Sequence, residues 1–211
     1  MSYKDYQNAR DAAWKILLDC GIDRLPVDLN TIRNQLGVHI ASYKDAKALI
    51  RKRNLSVLTA QTDGFTFYAR AEPVILYSEA CSPERIRFTI AHELGHIVLG
   101  HVVPGSITTA NREPSLGDSP QETAANQFAA RLLAPACVLW GLDLHTADEI
   151  AVACRISKKA AQFRSERMKT LYARNKFLSS PLERKLYQRF VPFMEAVCCR
   201  GVHPDESLQS D

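Results

Sequence analysis

The chain has 211 residues, with 27 basic and 23 acidic side chains, six histidines and a formal charge of +4. That length is the size of one domain with at most a small appendage. With 46% apolar and 24% charged residues the chain can bury an ordinary core, which excludes a disordered polypeptide. Its longest apolar runs are only a few residues, too short to span a bilayer. The opening stretch MSYKDYQNARDAAWKILLDC lacks the apolar core and small-residue cleavage site of a signal peptide, so a cytoplasmic protein is expected.

In chain order, residues 4–20 place Ala9, Ala12, Ala13, Ile16 and Leu17 at helical spacing, and Gly21 follows as a stop. Pro26-Val27-Asp28 opens a second helix over 28–36, closed by Gly37. Val38–Ala41 reads as a short strand, and 44–53 as a basic helix or loop. GFTFYAR (64–70) and VILYSE (74–79) read as a β-hairpin turning through Ala71-Glu72-Pro73. Ser82 and Pro83 mark the start of a helix reaching Gly100, with Ile86, Ile90, Leu94 and Ile97 on one stripe. The stretch 101–120 is rich in Pro, Gly, Ser and Thr and reads as a loop. Ser119-Pro120 starts a helix to Leu133, ended by Ala134-Pro135. Helices over 146–155 and 157–173 follow, then an amphipathic helix over 181–199 and a polar tail. The fold class is α+β: a mostly helical core with a small, mostly antiparallel sheet, then C-terminal helices.

The chemistry concentrates in RFTIAHELGHIVLGH, which carries His92, His96 and His101. His92-Glu93-Leu94-Gly95-His96 fits H-E-x-x-H. Residues four apart share one helix face about 6 Å apart, so the two imidazoles can bind one tetrahedral ion. Glu93, beside that face, reaches a water near the ion rather than the ion itself. In this composition the pattern is expected by chance on the order of once in a hundred chains.

A catalytic zinc site takes three protein ligands. His101 is one residue short of the third histidine in H-E-x-x-H-x-x-G-x-x-H, so it reads as a helix-end or pocket-rim residue. Glu122, in the first turn of the next helix, is the preferred third ligand, although a helix N-terminus also favours a carboxylate for its own sake. Glu113 and Asp118 compete from the loop. Asn126, one turn after Glu122, is placed to orient a ligand histidine. Tyr68, Tyr77, His101 and Arg131 are open candidates for oxyanion donor. A strand of the 64–79 hairpin is a candidate edge for pairing with a peptide.

The six cysteines are scattered without C-x-x-C and read as reduced thiols. The pair of helices over 146–173 has a small apolar set, Ala147, Ile150, Ala151, Ala160, Ala161 and Phe163. Lys158, Lys159, Gln162 and Arg164 are expected to face outward. The pair resembles a helix-turn-helix. Its basic face fits phosphate contact, but a structural or substrate-docking role is preferred to DNA binding.

Arg85 through Pro135 resembles the ImmA/IrrE family of zinc metallopeptidases, in RIRFTIAHELGHIVLGH and, more diagnostically, in E-T-A-A-N-Q-F-A-A-R-L-L-A-P. PVDLNTIRNQLGVHI and TADEIAVACRISKKAAQFRSERM extend the likeness more weakly. With that resemblance, a zincin-like domain is expected over 1–140 and a helix-turn-helix-like helical segment over 141–200; roughly the last 35 residues lie outside the likeness, and the polar stretch 201–211 reads as a flexible tail. It implies one Zn2+ per chain on His92, His96 and Glu122, with Glu93 as the catalytic base. It also implies cleavage of a protein regulator, a helix-turn-helix repressor of a mobile element or stress response. The alternative reading is a metal-binding regulatory or DNA-binding module with little peptidase activity.

Overall fold

The computed structural model describes residues 3–103, 105, 107–111 and 119–199. The expected tail over 201–211 and the competing carboxylates Glu113 and Asp118 lie outside the described residues. The architecture is α+β: a small four-stranded sheet carries helices on both faces, and most of the helical mass is gathered on one side.

The chain opens with α1 (Tyr3–Asp19), whose Ala9, Ala13, Trp14 and Leu17 are buried, and then α2 (Leu29–Gln35). Asp28 caps α2 by accepting from the Asn30 amide and the Thr31 hydroxyl. Next come β1 (His39–Ser42), α3 (Lys47–Lys52), α4 (Ser56–Gln61), β2 (Thr62–Ala69) and β3 (Glu72–Tyr77). After them are α5 (Pro83–Val98), β4 (Ile107–Asn111), α6 (Pro120–Leu133) and α7 (Ala136–Gly141). The chain continues through α8 (Ala147–Cys154), α9 (Lys158–Ala173) and α10 (Pro181–Cys199).

The sheet order is β1-β3-β2-β4; β1 runs parallel to β3, and both other pairings are antiparallel. The hairpin is present as expected, but Ala69 pairs with Glu72, so its turn is Arg70-Ala71, with Arg70 left-handed at φ 62. β4 lies inside the stretch read as a loop, and it covers the flank of β2. Both hairpin strands are therefore interior, and the expectation that one offers an open edge is corrected: β4 holds that position. A strand of five residues among Pro, Gly, Ser and Thr has too short an apolar pattern to announce itself. The helices α4 and α7, six residues each, are too short to display a helical period.

The two faces of β2 differ by side-chain alternation. Phe65 and Phe67, with Val74 and Leu76 of β3, pack on Ala46, Ile50 and Leu55 beneath α3. Gly64 and Thr66 face α5 instead. A Cβ at Gly64 would lie 2.4 Å from Thr89 Cγ2 and 3.0 Å from the Leu76 carbonyl oxygen, so glycine lets α5 settle onto the strand. Arg85 locks this contact through Nη2 at 2.7 Å from Asp63 Oδ2.

A second close approach joins α5 to α6. A Cβ at Gly95 would meet the Phe128 ring and Cβ at 3.0–3.2 Å. Phe128 belongs to the main core with Leu94, Leu132, Leu133, Leu17 and Ile75. Both helices begin alike: Ser82 accepts from the Arg85 amide before Pro83, and Ser119 accepts from the Glu122 amide before Pro120.

The expectation for α9 needs correction. Phe163 is 70% exposed, whereas Arg164 is only 4% exposed. Ala161, Arg164, Ser165 and Met168 form the inward stripe, and Phe163, about 200° round from Ala161, must face outward.

Replacing Phe128 by alanine is expected to cost about 3–5 kcal/mol in chemical denaturation. Gly95→Ala, which overpacks the same contact, is expected to cost about 1–3 kcal/mol. Equal stability of Gly95→Ala and wild type would show that α5 and α6 are not held at this distance by that contact.

Candidate metal centre

The H-E-x-x-H segment lies in the last half of α5, where His92, Glu93 and His96 are all buried. Because α6 packs against α5 at Gly95, its first turn comes level with the histidine pair. Glu122 Oε2 lies 3.2 Å from His92 Nε2, Glu122 Oε1 lies 3.2 Å from His96 Nε2, and the two Nε2 atoms are 3.0 Å apart. Among the described residues, His92, His96 and Glu122 form a group able to hold a metal ion. Tetrahedral bonds of about 2.0–2.1 Å separate ligand atoms by about 3.3–3.4 Å, so this spacing fits one small ion without rearrangement.

The outer nitrogens of both histidines are also engaged. His92 Nδ1 sits 2.9 Å from Asn126 Oδ1, one turn along α6 from Glu122. Since the amide oxygen only accepts, His92 Nδ1–H donates and Nε2 is left with its lone pair facing the site. His96 Nδ1 lies 3.2 Å from His101 Nδ1. His96 Nε2 faces Glu122 and His92, and were it to hold a metal its Nδ1–H would donate to His101. Thus His101 contacts a member of the donor set rather than joining it.

Glu93 points the other way, toward the sheet. Its Oε2 accepts from the Thr66 hydroxyl at 2.5 Å, and both residues are fully buried. Sequence reasoning missed Thr66. Its one signal was a small polar residue between two phenylalanines in GFTFYAR, on the face opposite both rings.

The oxyanion candidates scatter. Arg131 lies in the last turn of α6, nine residues or about 13 Å of helix beyond Glu122, and lines a different cavity. Tyr77 borders a groove with Asp28, Arg33, Ile86 and Arg87, near the start of α5. Tyr68 shares the α5-facing side of β2 with Gly64 and Thr66. These two oppose Thr89 and Glu93 in turn, so the register brings Tyr68 level with the following turn of α5.

Burial alone would raise the Glu122 pKa, but hydrogen bonds from His92 and His96 outweigh it and bring the carboxyl down to about 2. Burial also works against a charged His92, yet Glu122, Glu93 and Asn126 prevail and raise its pKa above the ordinary value. His101 is pushed down by burial and by the neighbouring His96.

A helix bearing H-E-x-x-H, backed by a small sheet and faced by a carboxylate from a second helix, is the arrangement of the metallopeptidase class. The chain belongs to the IrrE N-terminal-like domain family, whose pattern it matches over residues 36–166. It is 32% identical over 145 residues to the radiation response metalloprotease IrrE of Deinococcus radiodurans. That alignment covers 65% of this chain and 38% of the relative, so the chain spans well under half of that protein. Among the described residues, no helix is long and apolar enough to cross a membrane.

Two outcomes follow from this geometry. Asn126→Ala should weaken metal affinity by about 10- to 100-fold in chelator competition, since His92 loses the acceptor that sets its tautomer. Metal must also displace the proton that His92 retains above its ordinary pKa. Apparent affinity should therefore fall by up to about tenfold per pH unit below the raised His92 pKa and level off above it. In the metal-free protein, the His92 contribution to stability is present below its unfolded pKa and lost as pH rises through the raised value. The Glu122 contribution is present above its unfolded pKa and lost as pH falls toward about 2. Metal affinity flat between about pH 5.5 and 8.5 would contradict a protonated His92 in the free site.

Proposed function

We propose that this protein is a zinc-dependent endopeptidase that acts in the cytoplasm on a protein regulator, a helix-turn-helix repressor being the favoured substrate. The observation that carries the reading is the convergence of His92, His96 and Glu122 beside the buried Glu93. Two imidazoles and a carboxylate suit zinc, and three donors leave a fourth tetrahedral position for water or substrate. When bound, zinc would supply Lewis-acid activation of water and of the scissile carbonyl.

The protein's own residues divide the remaining work. Glu93 takes a proton from the attacking water and returns it to the leaving amine. Thr66 holds the second carboxylate oxygen of Glu93, so the carboxylate meets the water in one orientation. Asn126 and His101 hold the two histidines by their outer nitrogens. Tyr68 is the favoured donor to the oxyanion: both tyrosine candidates lie on the Thr66 face, but Tyr77 pairs with Gly64 and sits near the start of α5, whereas Tyr68 lies beyond Thr66 toward the histidine end.

An extended peptide can add to the sheet along β4, whose outer flank pairs with no strand among the described residues. Phe67 pairs with Ile107 and Thr66 with Thr108, so β4 runs beside the strand that anchors Glu93. Exposed Phe163 and Val152 on α9 and α8 offer apolar contact. This favours docking of a protein over a DNA-binding surface, which would present mainly cations to phosphate. The cysteines Cys20, Cys81, Cys137, Cys154, Cys198 and Cys199 are all free thiols, which suits a reducing compartment. A role in a stress response is supported by the similarity to a radiation response metalloprotease.

Wild-type protein should carry about one zinc per chain, sharply reduced in Glu122→Ala. Glu93→Gln should keep the metal yet cleave a co-expressed repressor about 10²- to 10⁴-fold more slowly. Thr66→Val should keep the metal and slow turnover by a smaller factor, with altered pH dependence. Cleavage by Glu93→Gln at the wild-type rate would defeat this assignment. Metal binding with no hydrolysis by any form would favour a regulatory module instead.

A further inference from the structure

Away from the metal centre, a cavity of about 360 Å3 opens between α1, α6, α9 and the start of α10. Its walls carry six cationic side chains: Arg10, Arg131, Arg164, Arg167, Arg174 and Lys176. Glu183 is the one carboxylate among its lining residues. A chain whose total formal charge is only +4 thus gathers a local surplus of five positive charges at one concavity.

The cavity is graded in depth. Arg131 and Arg164 are buried with Glu183 at its floor, while Arg174 and Lys176 are exposed at its rim. Several of these groups are already oriented by the protein. Arg10 is paired with Asp11 at 2.7 Å and lies over the Trp14 ring, 4.9 Å from its centroid. Arg131, Arg164 and Arg167 have protein contacts of their own. Glu183 is engaged by the Ser179 amide at 2.9 Å and the Ser179 hydroxyl at 3.3 Å.

Like charges held together in a partly desolvated space repel, which costs folding energy unless an anion joins them. Guanidinium forks match phosphoryl oxygens two at a time, and arginine rather than lysine dominates here. The volume is that of a small-molecule pocket and exceeds what one phosphate fills. A duplex is too broad to enter it.

We propose that this cavity is a binding site for a small anion bearing two or more phosphoryl charges, of the diphosphate or triphosphate class. The site is independent of the metal centre.

The test is calorimetric titration of the metal-loaded wild-type protein with inorganic pyrophosphate, tripolyphosphate and ATP at constant ionic strength, with sulfate as control. The expected result is one saturable site per chain. Binding should weaken by at least about tenfold in the rim variant Arg174→Glu/Lys176→Glu, whose exposed positions leave the fold and metal content intact. Equal affinity for tripolyphosphate and ATP would identify phosphoryl groups alone as the ligand, and tighter ATP binding a nucleotide. Four results would each overturn the proposal. These are no saturable binding, binding unchanged in the rim variant, sulfate binding as tightly as pyrophosphate (an adventitious ion only), and tighter binding of duplex DNA that the same variant abolishes.

Discussion

The site depends on how closely α5 can be approached, and two glycines set that distance on two sides. At Gly95 the absence of a side chain lets the Phe128 ring of α6 press directly onto the α5 backbone. At Gly64 the same absence lets β2 meet α5 at Thr89. The first contact draws Glu122 to within hydrogen-bonding distance of both histidines, and the second draws the Thr66 hydroxyl onto Glu93. Shape rather than charge therefore does the assembling. The apolar packing around Phe128, Leu94 and Leu132 supplies the driving force, and the polar groups are carried into position by it.

That order of cause and effect explains how several polar side chains are tolerated in a buried region. A buried carboxylate or imidazole without partners is costly. Here Glu93 has Thr66, His92 has Asn126 and Glu122, and His96 has Glu122 and His101. The partners come from three places outside α5: Thr66 from β2, Glu122 and Asn126 from α6, and His101 from the segment just beyond α5. The site is a junction, and it exists only when the sheet, α5 and α6 are docked together. Glu122 also stands at the third position of α6, where its charge favours the helix N-terminus. Its two roles reinforce each other.

The helices beyond α6 use a different principle. α8 is closed by a reciprocal cap between Thr146 and Glu149, and α9 buries Ala161, Ser165 and Met168 against it. Its fourth inward residue, Arg164, brings a charge into the interior beside Cys137, Cys154 and Glu183. Burial pushes both of these thiols up to about 12, so they behave as small apolar side chains. The same helix that completes the C-terminal core thus also contributes Arg164 and Arg167 to the wall of the basic cavity.

Much of this was legible in the sequence because the information was local. Ser-Pro starts, glycine stops and period-3.6 stripes mark α1, α5, α6, α9 and α10. The four-residue spacing of His92 and His96 places both on one face whatever surrounds them. Glu122 and Asn126 were readable as a matching pair on the next helix. What sequence could not reach was whatever depends on contacts between distant segments. The pairing of β4 with β2, and so the identity of the sheet edge, is decided by a strand too short and polar to show a pattern. Thr66 is a partner of Glu93 only because β2 lies against α5 at Gly64. Phe163 and Arg164 exchanged their expected places because the buried stripe of α9 is set by what packs against it, not by which side chain is apolar. The basic cavity draws on α1, α6, α9 and α10, and no single stretch of chain carries more than part of it. Periodicity and motif spacing are properties of one element, whereas an edge, a buried partner and a cavity wall belong to the packing of several.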